Sequence, residues 1–275
     1  MQEKRILILG SSGYLGKNFS KFFTNKYSIF NSHILKKRKV DILKKKNLFN
    51  YLSKNKINII LNLSGQLLKN FNEYKKISIE GNKNLISYAK KNNLLNIYFS
   101  SDQVYGRSRK KPYNEKSKIA PINEYAKIKH LCEKLYNKSQ TKYIIIRLSN
   151  VYDTKFKKRG FLNNLKSYFK KKKKTINLNK KNLIRNFIHI EDVCCLINYI
   201  IKSNYRNNQI FNISHENLRL EEIINMFEQK FKKKVNLKIK KKEYIQDKIY
   251  IDNSLIKKKF NHKFSYNIKK CLKKN

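Results

Sequence analysis

The chain has 275 residues, which is enough for one sizeable α/β domain or two small ones. Its four cysteines show no C-x-x-C spacing and no apolar run approaches about 18 residues, which disfavours a disulfide scaffold, a zinc ribbon and an integral membrane protein. The formal net charge of +47 comes with 56 lysines, 37 asparagines and 35 isoleucines, an excess that A/T-rich codons explain better than nucleic-acid binding does.

Short apolar runs alternate with stretches of helical period through the first half of the chain. The predicted strands are Arg5–Leu9, Tyr27–Asn31, Asn58–Leu63, Leu95–Ser100 and Tyr143–Leu148, and the helices between them are Tyr14–Asn25, Leu43–Lys54, Glu73–Lys91 and Asn123–Lys138. This alternation is typical of βαβ units, so we expect an α/β fold with a doubly wound parallel sheet and ligands at the carboxyl ends of its strands. Because a strand-like run begins at Arg5, we also expect no signal peptide and a cytoplasmic protein.

The regular alternation of predicted strands and helices ends at about Val151. A basic helix over Gly160–Lys174 is followed by an extended run at Ile184–His189, a helix from near Glu191, a strand at Gln209–Ile213 and a helix at Leu220–Phe231. No linker separates the two halves. We therefore predict a first domain over residues 1–150 and a small C-terminal lobe over residues 151–275 that is interleaved with it.

Three of the seven glycines follow the first strand directly, as Gly10, Gly13 and Gly16. A glycine-rich loop between a strand and a helix is the fingerprint of a Rossmann dinucleotide-binding domain, here with a spacing one residue wider than the commonest form. The residue that ends the second strand, Asn31, selects between cofactors. It carries no carboxylate, and basic residues follow it at Lys36, Lys37 and Arg38, so the pattern permits NADP and does not exclude NAD.

A serine, a tyrosine and a lysine indicate proton-transfer chemistry. Tyr125 and Lys129 lie four residues apart on one face of a predicted helix. An ammonium beside a phenol lowers a pKa that is normally about 10, which suits the tyrosine to exchange a proton with a hydroxyl while hydride leaves the same carbon. Ser101, at the end of the fourth strand, supplies a second hydrogen-bond donor to the same oxygen.

Four further segments occur in the order found in a known family: Val40–Leu43, Asn62–Gln66, Arg147–Tyr152 and Arg185–Val193. Together with the glycine loop, the serine run and the Tyr125–Lys129 pair, they make the chain resemble the NAD-dependent epimerase/dehydratase branch of the extended short-chain dehydrogenase/reductases. The resemblance implies that the first domain binds NAD or NADP and that the C-terminal lobe binds a nucleotide-activated sugar. It also implies a homodimer joined through the helices that carry the tyrosine and lysine.

The resemblance assigns roles residue by residue. It makes Ser101, Tyr125 and Lys129 catalytic, and it gives the substrate contacts to Ser101, Asp102, Asn150 and Arg185, with Arg185 clamping the diphosphate. Asp41 is matched to the residue that contacts the adenine amino group. The implied cofactor contacts are Gly10, Gly13, Tyr14, Leu15, Gly16, Asn31, Asp41, Ile42, Leu63, Ser64, Gly65, Ser100, Tyr125 and Lys129.

The pair Asp102–Gln103 bears on the reaction. Sugar 4,6-dehydratases of the resembling family carry an Asp-Glu pair here, and the amide of Gln103 cannot act as a carboxylate base. The 4-epimerases and the 4-keto sugar reductases need only Ser101, Tyr125 and Lys129. We expect an NAD(P)-dependent nucleotide-sugar 4-epimerase, with an NAD(P)H-dependent reductase of nucleotide 4-keto-6-deoxysugars as the alternative.

A candidate of another class is a non-catalytic basic protein that binds nucleic acid on a dinucleotide fold. Such a protein would gather its lysines on one face, whereas the lysine triplets at 44–46, 232–234 and 240–242 are spread along the chain. We therefore expect no nucleic-acid partner. The five histidines are scattered, with no ligand spacing that an acidic residue completes, so we expect no metal site.

Overall fold

The computed structural model describes residues 3–34, 37–38, 40–64, 70–106, 111–179, 183–203, 208–239 and 249–274. In chain order, the strands are β1 (Arg5–Leu9), β2 (Ser28–Asn31), β3 (His33–Ile34), β4 (Lys37–Arg38), β5 (Ile59–Asn62), β6 (Leu95–Ser101), β7 (Tyr143–Leu148), β8 (Asn150–Tyr152), β9 (Ile176–Leu178), β10 (Ile184–His189), β11 (Gln209–Ile213), β12 (Glu216–Arg219) and β13 (Leu237–Ile239). The helices are α1 (Tyr14–Phe23), α2 (Lys45–Lys54), α3 (Phe71–Ala89), α4 (Glu124–Asn137), α5 (Phe161–Phe169), α6 (Ile190–Lys202), α7 (Leu220–Phe231), α8 (Ser254–Phe260) and α9 (Ile268–Lys273), and a single 3-10 turn covers Asp102–Tyr105.

The main sheet has six strands in the order β2-β1-β5-β6-β7-β11. Strand β1 pairs in parallel with both β2 and β5, and β5 pairs in parallel with β6. The predicted α/β fold with a parallel central sheet is confirmed. Because the chain moves to opposite sides of β1 to form β2 and β5, the order reverses beside β1, and ligands of such sheets bind outside the carboxyl ends at this point.

Apolar side chains of the strands meet those of the flanking helices in the core. The cluster beside β1 and β5 includes Leu7, Ile60, Leu48, Leu52 and Leu85, all fully buried. A second cluster packs α3 and α4 against β6 and β7 through Tyr74, Tyr98, Ile128, Cys132, Tyr136 and Ile145. Each fully buried aliphatic side chain contributes about 1.5–3 kcal/mol, so these clusters fix the strand ends that carry the site.

The chain divides into two compact units, each built from three segments. The first consists of Met1–Val104, Asn123–Arg147 and Ile200–Phe211, and the second of Tyr105–Ile122, Leu148–Tyr199 and Asn212–Asn275. The division into residues 1–150 and 151–275 that the sequence suggests stays a prediction about domains.

The second unit is organised around β10. This strand pairs in parallel with β8 and antiparallel with β12, and a separate parallel pair joins β13 to β9. Its core contains Phe156, Leu165, Ile223 and Phe227, each at most 1% exposed. A single bridge joins Tyr113 to Ile251.

Most predicted elements begin and end within two residues of the bounds expected from the sequence, and the larger differences have local causes. Helix α5 ends at Phe169 because the following lysines offer no apolar face and Lys171 adopts a positive φ of 59°. Strands β8, β12 and β13 are too short to show an alternating pattern. Across the described ranges, none of the helices combines the length and the apolar character that a bilayer crossing requires.

Candidate active site

The glycine loop lies between β1 and α1, at the point where the strand order reverses. Gly10 has a positive φ of 76°, and a Cβ atom there would lie 3.0 Å from the carbonyl oxygen of Leu63 after β5. A Cβ atom at Gly16 would come within 2.4 Å of the Gly10 carbonyl oxygen. Glycine is therefore required at both positions, for backbone conformation and for close packing of the loop on α1.

Helix α1 begins at Tyr14 and Leu15, directly after the glycine loop. Its N-cap residue is Gly13, so no side chain caps the helix, and the first turn contains no acidic residue. Free N–H groups and the positive end of the helix dipole make such a terminus a site for an anion. The loop and the helix start thus fit the pyrophosphate of a dinucleotide.

The end of β2 supports this loop through residues that sequence reasoning missed. The buried Ser32 hydroxyl accepts a hydrogen bond of 3.1 Å from the Gly10 backbone N–H, and the Ser11 hydroxyl accepts one of 3.0 Å from the His33 N–H. Asn31 Oδ1 accepts a hydrogen bond from Ser20 Oγ on α1 at 2.6 Å. Of the basic residues that follow, Lys36 lies outside the described residues and Lys37 and Arg38 form β4, so the choice between NAD and NADP stays open.

The other predicted cofactor positions flank the loop. The Asp41 carboxylate accepts a hydrogen bond of 3.0 Å from the Leu43 N–H and forms a turn, whereas the Ile42 side chain is buried against Gly81. Beyond β5, Leu63 approaches Gly10 and the Ser64 hydroxyl donates to Asn62. Gly65 lies outside the described residues.

The proposed catalytic residues meet where β6 ends and α4 begins. Lys129 is 5% exposed, and its Nζ donates a hydrogen bond of 2.8 Å to the Phe99 carbonyl oxygen while lying 5.8 Å from the centre of the Tyr125 ring. Tyr125 is partly buried and its ring stacks on that of Tyr74. The buried Ser101 hydroxyl lies 3.3 Å from Asp102 Oδ1 and accepts from the Gln103 N–H.

The pKa of Tyr125 differs in direction from the sequence expectation. Burial and the Asp102 charge together raise it to about 12, and a hydrogen bond with Ser101 opposes the rise. Burial also lowers the pKa of Lys129 to about 8, against the charges of Cys132 and Glu133. The expected fall of the Tyr125 pKa is therefore wrong for this structure, because burial and the Asp102 charge outweigh the other influences on the phenol.

Helix α4 is held at its start by a contact that the sequence did not indicate. Asn123 Oδ1 caps the helix by accepting a hydrogen bond of 2.8 Å from the Ala126 N–H, and Asn123 Nδ2 donates to Gln103 Oε1 at 3.0 Å. Gln103 thereby joins the turn after Ser101 to the first turn of the helix that carries Tyr125. The Gln103 amide therefore has a structural partner, and it cannot act as a base.

Ser100 has a different partner from the predicted cofactor. Its hydroxyl donates a hydrogen bond of 2.5 Å to the buried Glu133 carboxylate, which also pairs with Arg147 at 2.8 Å. The Ser100 hydroxyl thus binds a side chain of α4, so a contact between this residue and a cofactor would be made by its backbone atoms. Neither Glu133 nor Arg147 was singled out from the sequence, because their pairing joins separate elements.

The second unit brings two predicted substrate residues to one cavity. Asn150 opposes Phe187 in the β8–β10 pair, and Asn150 and Arg185 both line a cavity of about 150 Å³ together with Lys158 and Arg159. Asn150 Nδ2 donates to the Asn186 carbonyl oxygen and Arg185 Nη1 to that of Ile184. Three cationic side chains around one cavity fit an anionic ligand. The role of Lys158 and Arg159 was not foreseen, because the chain is lysine-rich throughout.

Comparisons with known proteins agree with this geometry. Residues 6–214 match the NAD-dependent epimerase/dehydratase family. The chain is 27% identical over 219 residues to a GDP-6-deoxy-D-talose 4-dehydrogenase from Aggregatibacter actinomycetemcomitans, covering 76% of this chain and 74% of that protein.

Two solved structures share the fold at low identity. A dTDP-glucose 4,6-dehydratase from Bacillus anthracis in complex with NAD superposes with a TM-score of 0.84 at 17% identity, covering 98% of this chain and 94% of the other. A UDP-glucose 4-epimerase from Brucella ovis in complex with NAD gives a TM-score of 0.83 at 15% identity, covering 98% and 96%. At these identities the likeness concerns the Rossmann fold alone.

Proposed function

The chain belongs to the NAD-dependent epimerase/dehydratase family, and from this premise we propose that it transfers hydride between a nicotinamide cofactor and a ring carbon of a nucleotide-activated sugar. The observation that carries the proposal is the convergence of Ser101, Tyr125 and Lys129 at the end of β6 and the start of α4. Hydride transfer at a carbon that bears oxygen requires a proton donor and a second hydrogen-bond donor at that oxygen, and Tyr125 and Ser101 supply both.

The glycine loop supports a dinucleotide cofactor in the first unit. The uncapped start of α1 offers backbone N–H groups to the pyrophosphate, and Gly10 and Gly16 leave no room for a Cβ atom. When bound, the nicotinamide donates or accepts the hydride. Because Asn31 is uncharged and ends β2, the cofactor is NAD or NADP.

The protonation state of Tyr125 at neutral pH is the one that a reductase needs. A phenol whose pKa is about 12 is protonated at neutral pH and is ready to donate its proton to a ketone oxygen as hydride reaches the carbon. The relative that is 27% identical is a 4-dehydrogenase of a nucleotide 6-deoxysugar, a reaction with the same chemistry in reverse. Both observations support an NAD(P)H-dependent reductase of a nucleotide 4-keto-6-deoxysugar.

The substrate is recognised through its diphosphate. Arg185, Lys158 and Arg159 line the cavity of the second unit with Asn150, which is neutral and able to donate and accept hydrogen bonds. A planar guanidinium binds phosphate oxygens with two parallel hydrogen bonds, so Arg185 is the principal clamp.

A nucleotide-sugar 4-epimerase, the function expected from the sequence, is the second candidate. It uses the same three residues, with Tyr125 first accepting and then returning the proton. The Asp102–Gln103 pair favours an epimerase over a dehydratase, because Gln103 binds Asn123 at the N-cap of α4 and cannot act as a carboxylate base. The pair does not distinguish an epimerase from a reductase.

The experiment is an incubation of the purified protein with UDP-, dTDP- and GDP-linked sugars and their 4-keto-6-deoxy derivatives, with NADH or NADPH. A reductase consumes reduced cofactor and keto sugar in equal amounts, whereas an epimerase interconverts two sugars with no net change in cofactor. If no sugar is converted and the protein instead binds DNA or RNA below micromolar Kd at physiological salt, the basic binding protein replaces both candidates.

A further inference from the structure

Glu133 is a charged side chain buried beside the candidate active site. It lies on α4 four residues after Lys129 and eight after Tyr125, and it is 1% exposed. Residues at this spacing share one face of a helix. A carboxylate is retained at such a place only if its charge is paired and its oxygens accept hydrogen bonds.

Both carboxylate oxygens are satisfied by residues of two neighbouring strands. Arg147 on β7 donates from Nε to Oε1 at 3.1 Å and from Nη2 to Oε2 at 2.8 Å. Ser100 on β6 donates from Oγ to Oε1 at 2.5 Å. One side chain therefore joins α4, β6 and β7 at a single point in the core.

That point borders the reacting groups on both sides. Ser100 stands between Phe99, whose carbonyl oxygen holds Lys129 Nζ at 2.8 Å, and the catalytic Ser101. Since Glu133 holds Ser100 from the helix that carries Lys129, it fixes the strand end and the helix relative to each other. A displacement of either would change the distances from Lys129 and Tyr125 on α4 to Ser101 on β6.

Glu133 also acts on Lys129 through its charge. Burial lowers the pKa of Lys129, while the charges of Cys132 and Glu133 raise it. Burial alone would raise the pKa of Glu133, but His130 and Arg147 outweigh that effect and keep it below its ordinary value, so the carboxylate is ionised. The other titratable groups packed against Lys129 are Tyr98 on β6 and Tyr125 on α4, and Tyr74 on α3 stacks on Tyr125.

We propose that Glu133 is a positioning residue of the active site, which holds the end of β6 through Ser100 and Arg147 and places its carboxylate one helical turn after Lys129 on α4. The importance of Lys129 for catalysis rests on the proposed function, whereas the coupling of Glu133 to Lys129 does not. The ammonium form is the one that binds hydroxyl groups as a pure donor and carries a positive charge next to Tyr125.

The test is a pH titration of Lys129 in the full chain. Protein labelled with ¹³C-lysine is titrated by NMR, and the Lys129 ¹³Cε signal is assigned by its loss in Lys129→Met. The variants are Glu133→Gln, which removes the charge at constant size, and Glu133→Asp, which keeps the charge. The control is Glu80→Gln, which removes an exposed carboxylate that pairs with Lys83 on α3.

We expect Glu133→Gln to lower the titration midpoint of Lys129 by about one pH unit, Glu133→Asp to restore most of it and Glu80→Gln to leave it unchanged. Because Glu133→Gln leaves the Arg147 charge unpaired, the double variant Glu133→Gln/Arg147→Gln is titrated as well, and its midpoint should fall less than that of the single variant because the positive charge is removed too. An unchanged midpoint in a folded glutamine variant overturns the proposal. If hydride transfer is also established, the alkaline limb of kcat/KM moves with the midpoint, whereas a purely structural role would lower Tm alone.

Discussion

Replacing Tyr125 with phenylalanine removes one oxygen and leaves the packing of the ring. The ring stacks on Tyr74 at 5.9 Å between centroids, and phenylalanine fills the same space. The lost hydrogen bond with Ser101 is offset by the removal of a buried hydroxyl, so the free energy of unfolding should change by no more than about 1 kcal/mol. The lost proton donor should lower kcat about 10²–10⁴-fold, which corresponds to about 3–5 kcal/mol of transition-state stabilisation.

The assay is the oxidation of reduced cofactor by the keto sugar that the wild type accepts, under single-turnover conditions. Cofactor affinity and Tm are measured in parallel, and Tyr199→Phe, at a surface tyrosine that is 40% exposed, serves as the matched control. Turnover by Tyr125→Phe within about threefold of the wild type, a difference of less than 1 kcal/mol, would refute the assignment of the proton donor.

Three further predictions concern the cofactor, the substrate and pH. A methyl group at Gly16 would lie 2.4 Å from the Gly10 carbonyl oxygen, so Gly16→Ala should raise the Kd for NADH or NADPH at least about tenfold in a fluorescence titration, and an unchanged Kd would contradict the cofactor site. Arg185→Gln should raise the KM for the nucleotide sugar about tenfold or more with kcat nearly kept; a fall in kcat at constant KM would argue against a diphosphate clamp. Because burial lowers the pKa of Lys129 to about 8, activity that needs its ammonium form should be full below that pH and fall as pH rises through it, and a kcat/KM profile that is flat there would contradict this role.

The sequence allowed the elements with regular patterns to be predicted. The strands Arg5–Leu9, Tyr143–Leu148 and Ile184–His189 and the helix Leu220–Phe231 have the bounds that their apolar patterns indicate. Local signals also located the glycine loop, since a strand, a tight turn and a helix start follow one another within a few residues. The parallel sheet then follows from the alternation of these elements.

Properties that depend on contacts between distant segments could not be predicted. Ser100 and Glu133 are 33 positions apart, and nothing in either local sequence indicates that they meet. The pKa of Tyr125 was expected to fall because Lys129 follows at helical spacing, but burial and the Asp102 charge dominate. Spacing places two groups on one face of a helix, whereas their charge states depend on everything else packed around them.

The bridge between Tyr113 and Ile251 has a consequence for folding during synthesis. Tyr113 also donates its N–H to the Tyr250 carbonyl oxygen and accepts from the Asp252 N–H, so this segment cannot complete its contacts until a much later part of the chain has been synthesised. The first unit has the same property, because its third segment, Ile200–Phe211, follows its second segment only after a long stretch of the second unit. Each unit therefore closes over long stretches of chain that belong to the other, and such long-range closure slows folding.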